Sequence, residues 1–315
     1  MRALVTGVTG FAGGHMALRL ASLGWEVTGF HRGKRAVDAS VGAAPIRIAT
    51  GGFDDRDRLA ALLADTNPDY IFHLAGQTSH CASVEEFEAS LQSNVVDTCH
   101  LLDAVRSQAP GAIVVVPGSS AQFGEAPPDR RLLTEDSPYK PRTLHGVSKT
   151  AEAGAADYYH RVHGLRIVRT HTFNCMGPGQ RDSFVPAAFA RQIAAMEKGR
   201  IAPVLAVGNL AARRDVTDIR DVADAYLLAA TRGRPGEVYN VCSGHSPSIG
   251  ELIERLRGMS RVKFDTRQDA GRLQRGDVPA QRGDAGKLRR ETDWRPLFAL
   301  DDTLADVLEE WRAKV

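Results

Sequence analysis

The chain has no long hydrophobic run: nothing in its 315 residues approaches the roughly 18 consecutive apolar positions that a membrane-crossing helix requires. Nor does it start like a secretory leader, because Met1-Arg2-Ala3-Leu4-Val5-Thr6-Gly7 runs straight into an apolar strand and a glycine turn. A cytoplasmic protein is the expectation. Cysteine is scarce: Cys81, Cys99, Cys175 and Cys242 stand far apart without a CxxC pair, so neither a zinc site, nor any other metal site, nor a disulfide framework is expected. An excess of one charge is also missing. The 40 Lys and Arg face 38 Asp and Glu, a net of +2, which argues against chain-wide attraction to nucleic acid or membrane. The arginine-rich stretch 251–300 lacks the aromatic interleaving that base stacking needs, and a pocket for a small polyanion suits it better.

What is present is the balance of a globular protein, with 43% hydrophobic and 25% charged residues. The length allows one large domain or two closely joined ones. Short runs rich in Val, Ile and Leu at 3–6, 26–30, 46–49, 70–74, 112–116 and 165–169 read as strands, and helical spacing recurs at 15–23, 56–64 and 85–106. Such alternation means βαβ units, and the expected fold is α/β: a Rossmann-type doubly wound parallel sheet covered on both faces. Beyond Thr170 the pattern breaks. A Gly/Pro loop at 174–180 precedes helices at 184–198 and 218–231, a strand at 237–241 and a helix at 248–257. We expect a dinucleotide-binding domain at 1–170, to which 215–243 returns, and a smaller interleaved C-terminal substrate-binding region made of 171–214 and 244–315.

The first strand leads into Gly7-Val8-Thr9-Gly10-Phe11-Ala12-Gly13. Glycines at that spacing permit a tight turn and let backbone approach a pyrophosphate, whose charge meets free N–H groups at the helix start. An NAD enzyme usually places a carboxylate after its second strand for the adenosine ribose. Here Phe30-His31-Arg32 stands there, followed by Lys34 and Arg35. These cations suit a 2′-phosphate, so NADP is the expected cofactor and NAD the alternative.

At this point the chain resembles the extended short-chain dehydrogenases/reductases that act on nucleotide sugars. The matching features are the 7–13 turn, His73-Leu74-Ala75-Gly76, Asn94 in Ser-Asn-Val-Val, Ser119-Ser120-Ala121-Gln122-Phe123-Gly124, Lys149 in Gly-Val-Ser-Lys, and Asn174 with Gly177-Pro178-Gly179-Gln180. Gly208-Asn209-Leu210, Arg214-Asp215 and Val238-Tyr239-Asn240-Val241 look most like the GDP-4-keto-6-deoxy-mannose reductases within that family.

The resemblance implies that Gly7, Gly10, Phe11, Ala12, Gly13, His31, Arg32, Arg35, Phe53, Leu74, Ala75, Gly76, Asn94 and Lys149 line the cofactor. It implies that Ser119 hydrogen-bonds the reacting sugar oxygen, and that Asn174, Arg191, Arg214 and Arg275 meet the sugar diphosphate. Asp277 would accept from the nucleoside ribose. It also implies a homodimer formed through 85–106 and 142–163.

Two departures matter. The family's catalytic tyrosine stands four residues before the lysine, on the same helical face; here that position is His145, which we expect to be the proton donor. Imidazole donates usefully only as imidazolium, so carbonyl reduction is expected to fall as pH rises. Ala121 and Gln122 stand where dehydratases carry carboxylates. Reduction of a nucleotide-linked 4-keto sugar is the expected activity. A 4-epimerase, a 4,6-dehydratase and a non-catalytic nucleotide-sugar or cofactor sensor remain open from the sequence.

Overall fold

The computed structural model describes residues 1–33, 41, 44–78, 83–124, 132–272 and 278–315. Arg35, Arg275 and Asp277 lie outside the described residues. The strands are β1 (Arg2–Thr6), β2 (Glu26–His31), β3 (Ile46–Thr50), β4 (Tyr70–His73), β5 (Ile113–Ser119), β6 (Arg166–Thr172), β7 (Asn174–Met176), β8 (Val204–Val207), β9 (Arg213–Arg214), β10 (Val216–Asp218), β11 (Val238–Val241), β12 (Asp265–Gln268) and β13 (Ala280–Gln281). The helices are α1 (Phe11–Ser22), α2 (Arg56–Thr66), α3 (Val84–Leu91), α4 (Asp97–Gln108), α5 (Leu144–His163), α6 (Val185–Glu197), α7 (Ile219–Thr231), α8 (Ile249–Met259), α9 (Gly286–Thr292) and α10 (Leu300–Lys314).

Seven of these strands pair in parallel in the order β11-β6-β5-β4-β1-β2-β3. From β1 the chain winds outward to β3 and then crosses to β4 on the other side of β1. That reversal opens a crevice at the carboxyl ends of β1 and β4, where doubly wound sheets bind ligands. Successive side chains of a strand point to opposite faces. Ala3, Val5, Phe72, Val115 and Val168 therefore pack on Met16 and Leu20 of α1 and Ala223 and Tyr226 of α7. Leu4, Ile71, Val114 and Ile167 pack on Leu59 and Leu63 of α2, Leu101 of α4 and Ala156 of α5. Both faces are covered, which is why the strands read as unbroken apolar runs.

The segment 85–106, which reads as one helix, is interrupted. Between α3 and α4 the residues Gln92–Val96 form a π-helical turn. The short pairs β7–β10, β8–β12 and β9–β13 lie outside the main sheet. A separate core of Phe189, Ile193, Leu205, Leu252, Leu256, Phe264, Leu304 and Leu308 joins α6, α8 and α10 to β8. Among the described residues no helix is long and apolar enough to cross a membrane.

Two buried histidines tie the sheet to its surroundings. His73 bonds Thr6 Oγ1 at 2.8 Å through Nδ1 and Thr98 Oγ1 at 2.9 Å through Nε2. His171 bonds Asn240 Oδ1 at 3.0 Å and the Tyr139 hydroxyl at 2.7 Å. Burial, with the nearby charges of Lys149 and Arg32, depresses His73 to about 3, and burial depresses His171 to about 4. In the unfolded chain both rings take up protons near 6.5, whereas in the fold they remain neutral. Their contribution is thus fully present above that pH and declines as pH falls toward the folded values. The expected loss at about pH 5 is about 2 kcal/mol for each ring. Urea unfolding at about pH 7.5 and about pH 5 measures it, and His73→Gln should flatten the dependence by about one proton.

Candidate active site

The first feature of the crevice is a turn that only glycine fits. Gly7 has a φ of +70°, its N–H donates to Phe30 O at 2.8 Å, and a Cβ on it would lie 2.6 Å from Ala75 N. A Cβ on Gly13 would lie 2.1 Å from Gly7 O. Gly10 precedes α1 in extended conformation, without a side-chain cap. Its first N–H groups are therefore available to an anion, and the dipole of α1 favours one. The carboxyl end of β4 closes on this turn: Ala75 N donates to Thr6 Oγ1 at 3.2 Å, and a Cβ on Gly76 would meet Asn94 Oδ1 at 2.8 Å. Gly7, Gly10, Gly13, Ala75, Gly76 and Asn94 thus converge, and the cradle fits a dinucleotide pyrophosphate. Phe11 lies edge-on to His15, whose Nε2 bonds Pro178 O at 2.8 Å, so the 177–180 loop borders the same helix start.

Asn94 explains the π-helical turn. Its side chain accepts from Gln77 N at 2.8 Å and donates to Gln77 O, Ser90 Oγ and Ser148 Oγ. The extra residue per turn presents this amide simultaneously to the β4 loop and to α5.

At the end of β2 the structure gives Arg32 a partner that sequence reading missed. Its guanidinium forms an ion pair with the buried Asp97 carboxylate of α4 and donates to Ser93 Oγ at 3.3 Å. It also lies over the Phe53 ring, 5.9 Å from the centroid. Phe53 is buried against Phe30 and His73. His31 accepts from Gly33 N at 3.1 Å.

The opposite wall is α5. Thr143 caps it by accepting from Gly146 N at 3.1 Å. His145 lies buried in the first turn and Lys149 one turn later. The Lys149 ammonium forms an ion pair with Glu152, whose side chain is 1% exposed. Glu152 also accepts from Thr98 Oγ1 at 3.4 Å, and burial raises its carboxyl while Lys149 and Thr98 hold it down. Glu152 was legible in principle, since it shares a helix face with Lys149.

Ser119 ends β5 and begins a short 3-10 turn, Ser120–Gln122. Gln122 is fully buried and its Oε1 accepts from Ser119 N at 2.8 Å, which holds the turn. Gln281 of β13 grips the turn from outside, donating to Ser120 O at 3.0 Å and Gly124 O at 2.6 Å and accepting from Ser120 Oγ at 3.1 Å. Tyr139 leaves its hydroxyl on His171 and its ring against Phe123. It does not replace the missing tyrosine.

Beyond the main sheet the centre is Asp215, which no motif singled out as an anchor. Its buried carboxylate accepts from Ser243 N at 2.9 Å, Ser243 Oγ at 2.7 Å, Gly244 N at 3.0 Å and Gly283 N at 3.1 Å. Asn174 Nδ2 donates to Asp215 O at 3.3 Å, and Arg214 donates to Val278 O at 2.6 Å. Asn174 and Arg214 therefore flank one anchor. Arg191, on α6, pairs instead with Asp182 at 3.3 Å. No group of three or more His, Cys, Asp or Glu among the described residues is placed to hold a metal ion.

Over residues 3–242 the chain matches the NAD dependent epimerase/dehydratase family. It is 32% identical over 316 aligned residues to the GDP-6-deoxy-D-mannose reductase of Pseudomonas aeruginosa, covering 100% of this chain and 98% of that protein. Identity with the UDP-glucose 4-epimerase of Mycolicibacterium smegmatis is 29%, covering 100% and 99%. The solved structure of RMD from Pseudomonas aeruginosa complexed with NADPH superposes with a TM-score of 0.86 at 30% identity, covering 100% of both chains. A glycine turn shaped for a pyrophosphate, on a sheet that reverses beneath it, agrees with matches spanning the whole chain: the protein belongs to the NAD dependent epimerase/dehydratase family, a group of NAD(P)-dependent nucleotide-sugar enzymes.

Proposed function

We propose that the chain is an NADP-dependent reductase of a nucleotide-linked 4-keto sugar of the GDP-4-keto-6-deoxy-mannose type. The observation that carries this reading is the turn after β5. It offers Ser119, followed by Ala121 and by Gln122 with its side chain buried in the turn, so among its described residues, 119–124, no carboxylate is present for removing a C5 proton or releasing a hydroxyl. Reduction requires fewer groups. NADPH supplies a hydride when bound. Ser119 then hydrogen-bonds the keto oxygen, His145 gives the alkoxide its proton, and Lys149 holds the cofactor ribose. Asn174 and Arg214 bind the sugar diphosphate with Arg191 and Arg275, and Asp277 accepts from the nucleoside ribose. In this reading 1–170 with 215–243 is the cofactor side and 171–214 with 244–315 the sugar side.

A second reading, 4-epimerisation, is favoured by the full-length likeness to a UDP-glucose 4-epimerase; it needs only the same redox step run both ways. We also propose a homodimer through α3, α4 and α5. Val96 beside α4, and Val147, Tyr158 and Val162 on α5, are exposed.

Incubation with NADPH and a panel of nucleotide 4-keto sugars, followed by mass spectrometry, separates the readings. A reductase consumes NADPH and yields the reduced sugar, an epimerase consumes none, and neither converts GDP-mannose to its 4-keto-6-deoxy product.

Cofactor preference follows from Arg32. A 2′-phosphate would share its guanidinium with Asp97, and charge-assisted hydrogen bonds contribute roughly 1.5–3 kcal/mol. Dissociation constants should favour NADPH over NADH by tenfold or more, about 1.4 kcal/mol. Arg32→Ala should remove most of that preference, and equal constants in the unchanged protein contradict it. For the proton donor, His145→Phe should abolish reduction with NADPH binding retained, and His145→Tyr should restore it at higher pH. Reduction that survives in the Phe variant removes His145 from the chemistry.

A further inference from the structure

We propose that Glu152 is a positioning residue whose buried carboxylate neutralises Lys149 and so allows His145 to carry the proton it donates. This rests on the reading of His145 as the acid. Residues 145, 149 and 152 recur at i, i+4 and i+7 of α5 and so share one face of it. At about 1.5 Å rise per residue, Lys149 lies about 6 Å and Glu152 about 10 Å along the axis from His145. Along the helix the Lys149 position is thus the nearer of the two to His145.

The sign of that arrangement matters because the two possible donors at this position differ in charge. A phenol is a neutral acid that leaves an anion, and a neighbouring ammonium helps it. An imidazolium is a cationic acid that leaves a neutral base, and the same ammonium opposes its charged form. An unopposed Lys149 would therefore assist tyrosine and hinder histidine. Glu152 removes the hindrance.

Among the described residues, the ionisable groups that border the pair are balanced or neutral. His73 on β4 reaches Glu152 through Thr98 and remains unprotonated. Arg32, from the end of β2, is paired with Asp97 of α4. Tyr139, Arg169 and His171 share a small cavity with Glu152 on its other side. Arg169 pairs with Asp157 at 3.1 Å, burial raises the Tyr139 phenol, and burial keeps His171 neutral. Among the described residues the counter-ion of Lys149 is Glu152. Without it the face of α5 carries one uncompensated positive charge.

The test is the titration of the ring-labelled His145 by NMR in the full chain saturated with NADP⁺, the signal being assigned with His145→Phe. Glu152→Gln, which keeps the shape, should lower the midpoint by about one pH unit, the Coulomb effect of a unit charge about 10 Å away at an effective dielectric of about 20. Glu152→Asp, which keeps the charge, should leave it in place, and Lys149→Met with Glu152→Gln should restore it. In the reduction assay the pH at which the rate falls should move down with the midpoint in the Gln variant. Where that variant fails to fold, Lys149→Met supplies the opposite sign: the midpoint should rise, and one that stays or falls overturns the pairing. A midpoint unmoved by Glu152→Gln, or lowered as far by the double change, also overturns it. Midpoints that move as stated in a protein that reduces no 4-keto sugar leave the pairing standing and remove the functional reading.

Discussion

The site depends on a hydrogen-bonded chain beneath the glycine turn. Ala75 N–H donates to Thr6 Oγ1, which leaves the Thr6 hydroxyl proton for His73 Nδ1. That direction places the ring proton on Nε2, which donates to Thr98 Oγ1, and the Thr98 hydroxyl in turn donates to Asn94 O or Glu152. One buried, neutral imidazole thereby fixes the ends of β1 and β4 relative to α4 and α5. The glycine turn and the Lys149 face of α5 are both built on that spacing.

Much of this was legible in the sequence for a plain reason. A sheet covered on both faces demands apolar runs, so the strands at 3–6, 26–30, 46–49 and 70–74 and the glycine turn between the first helix and strand carried their own signal. Longer-range features left none. The π-helical turn in 85–106 exists because Asn94 must meet Gln77 and Ser148, one 17 residues and the other 54 residues away. Arg32 read as a cation awaiting a phosphate, and its Asp97 partner lies 65 residues on. The β9 and β13 strands have two residues each, too few for any periodicity.

The segments outside the main sheet follow a different rule. Its backbone is irregular, and buried N–H groups in irregular segments need acceptors. Asp215 supplies one carboxylate to three such groups and a hydroxyl, at the cost of desolvation that raises its pKa. Gln281 does the same for the turn that carries Ser119, using an amide that both donates and accepts. Polar side chains here replace the periodic packing that organises the sheet.

The grip of Gln281 on that turn spans 161 residues. Contacts of such separation form late, since the entropy of closing a long loop must be met before they stabilise anything. During synthesis the Ser119 turn cannot acquire its outer hydrogen bonds until nearly the whole chain has been made. An N-terminal fragment holding every strand of the main sheet would therefore still carry an unfinished Ser119 turn.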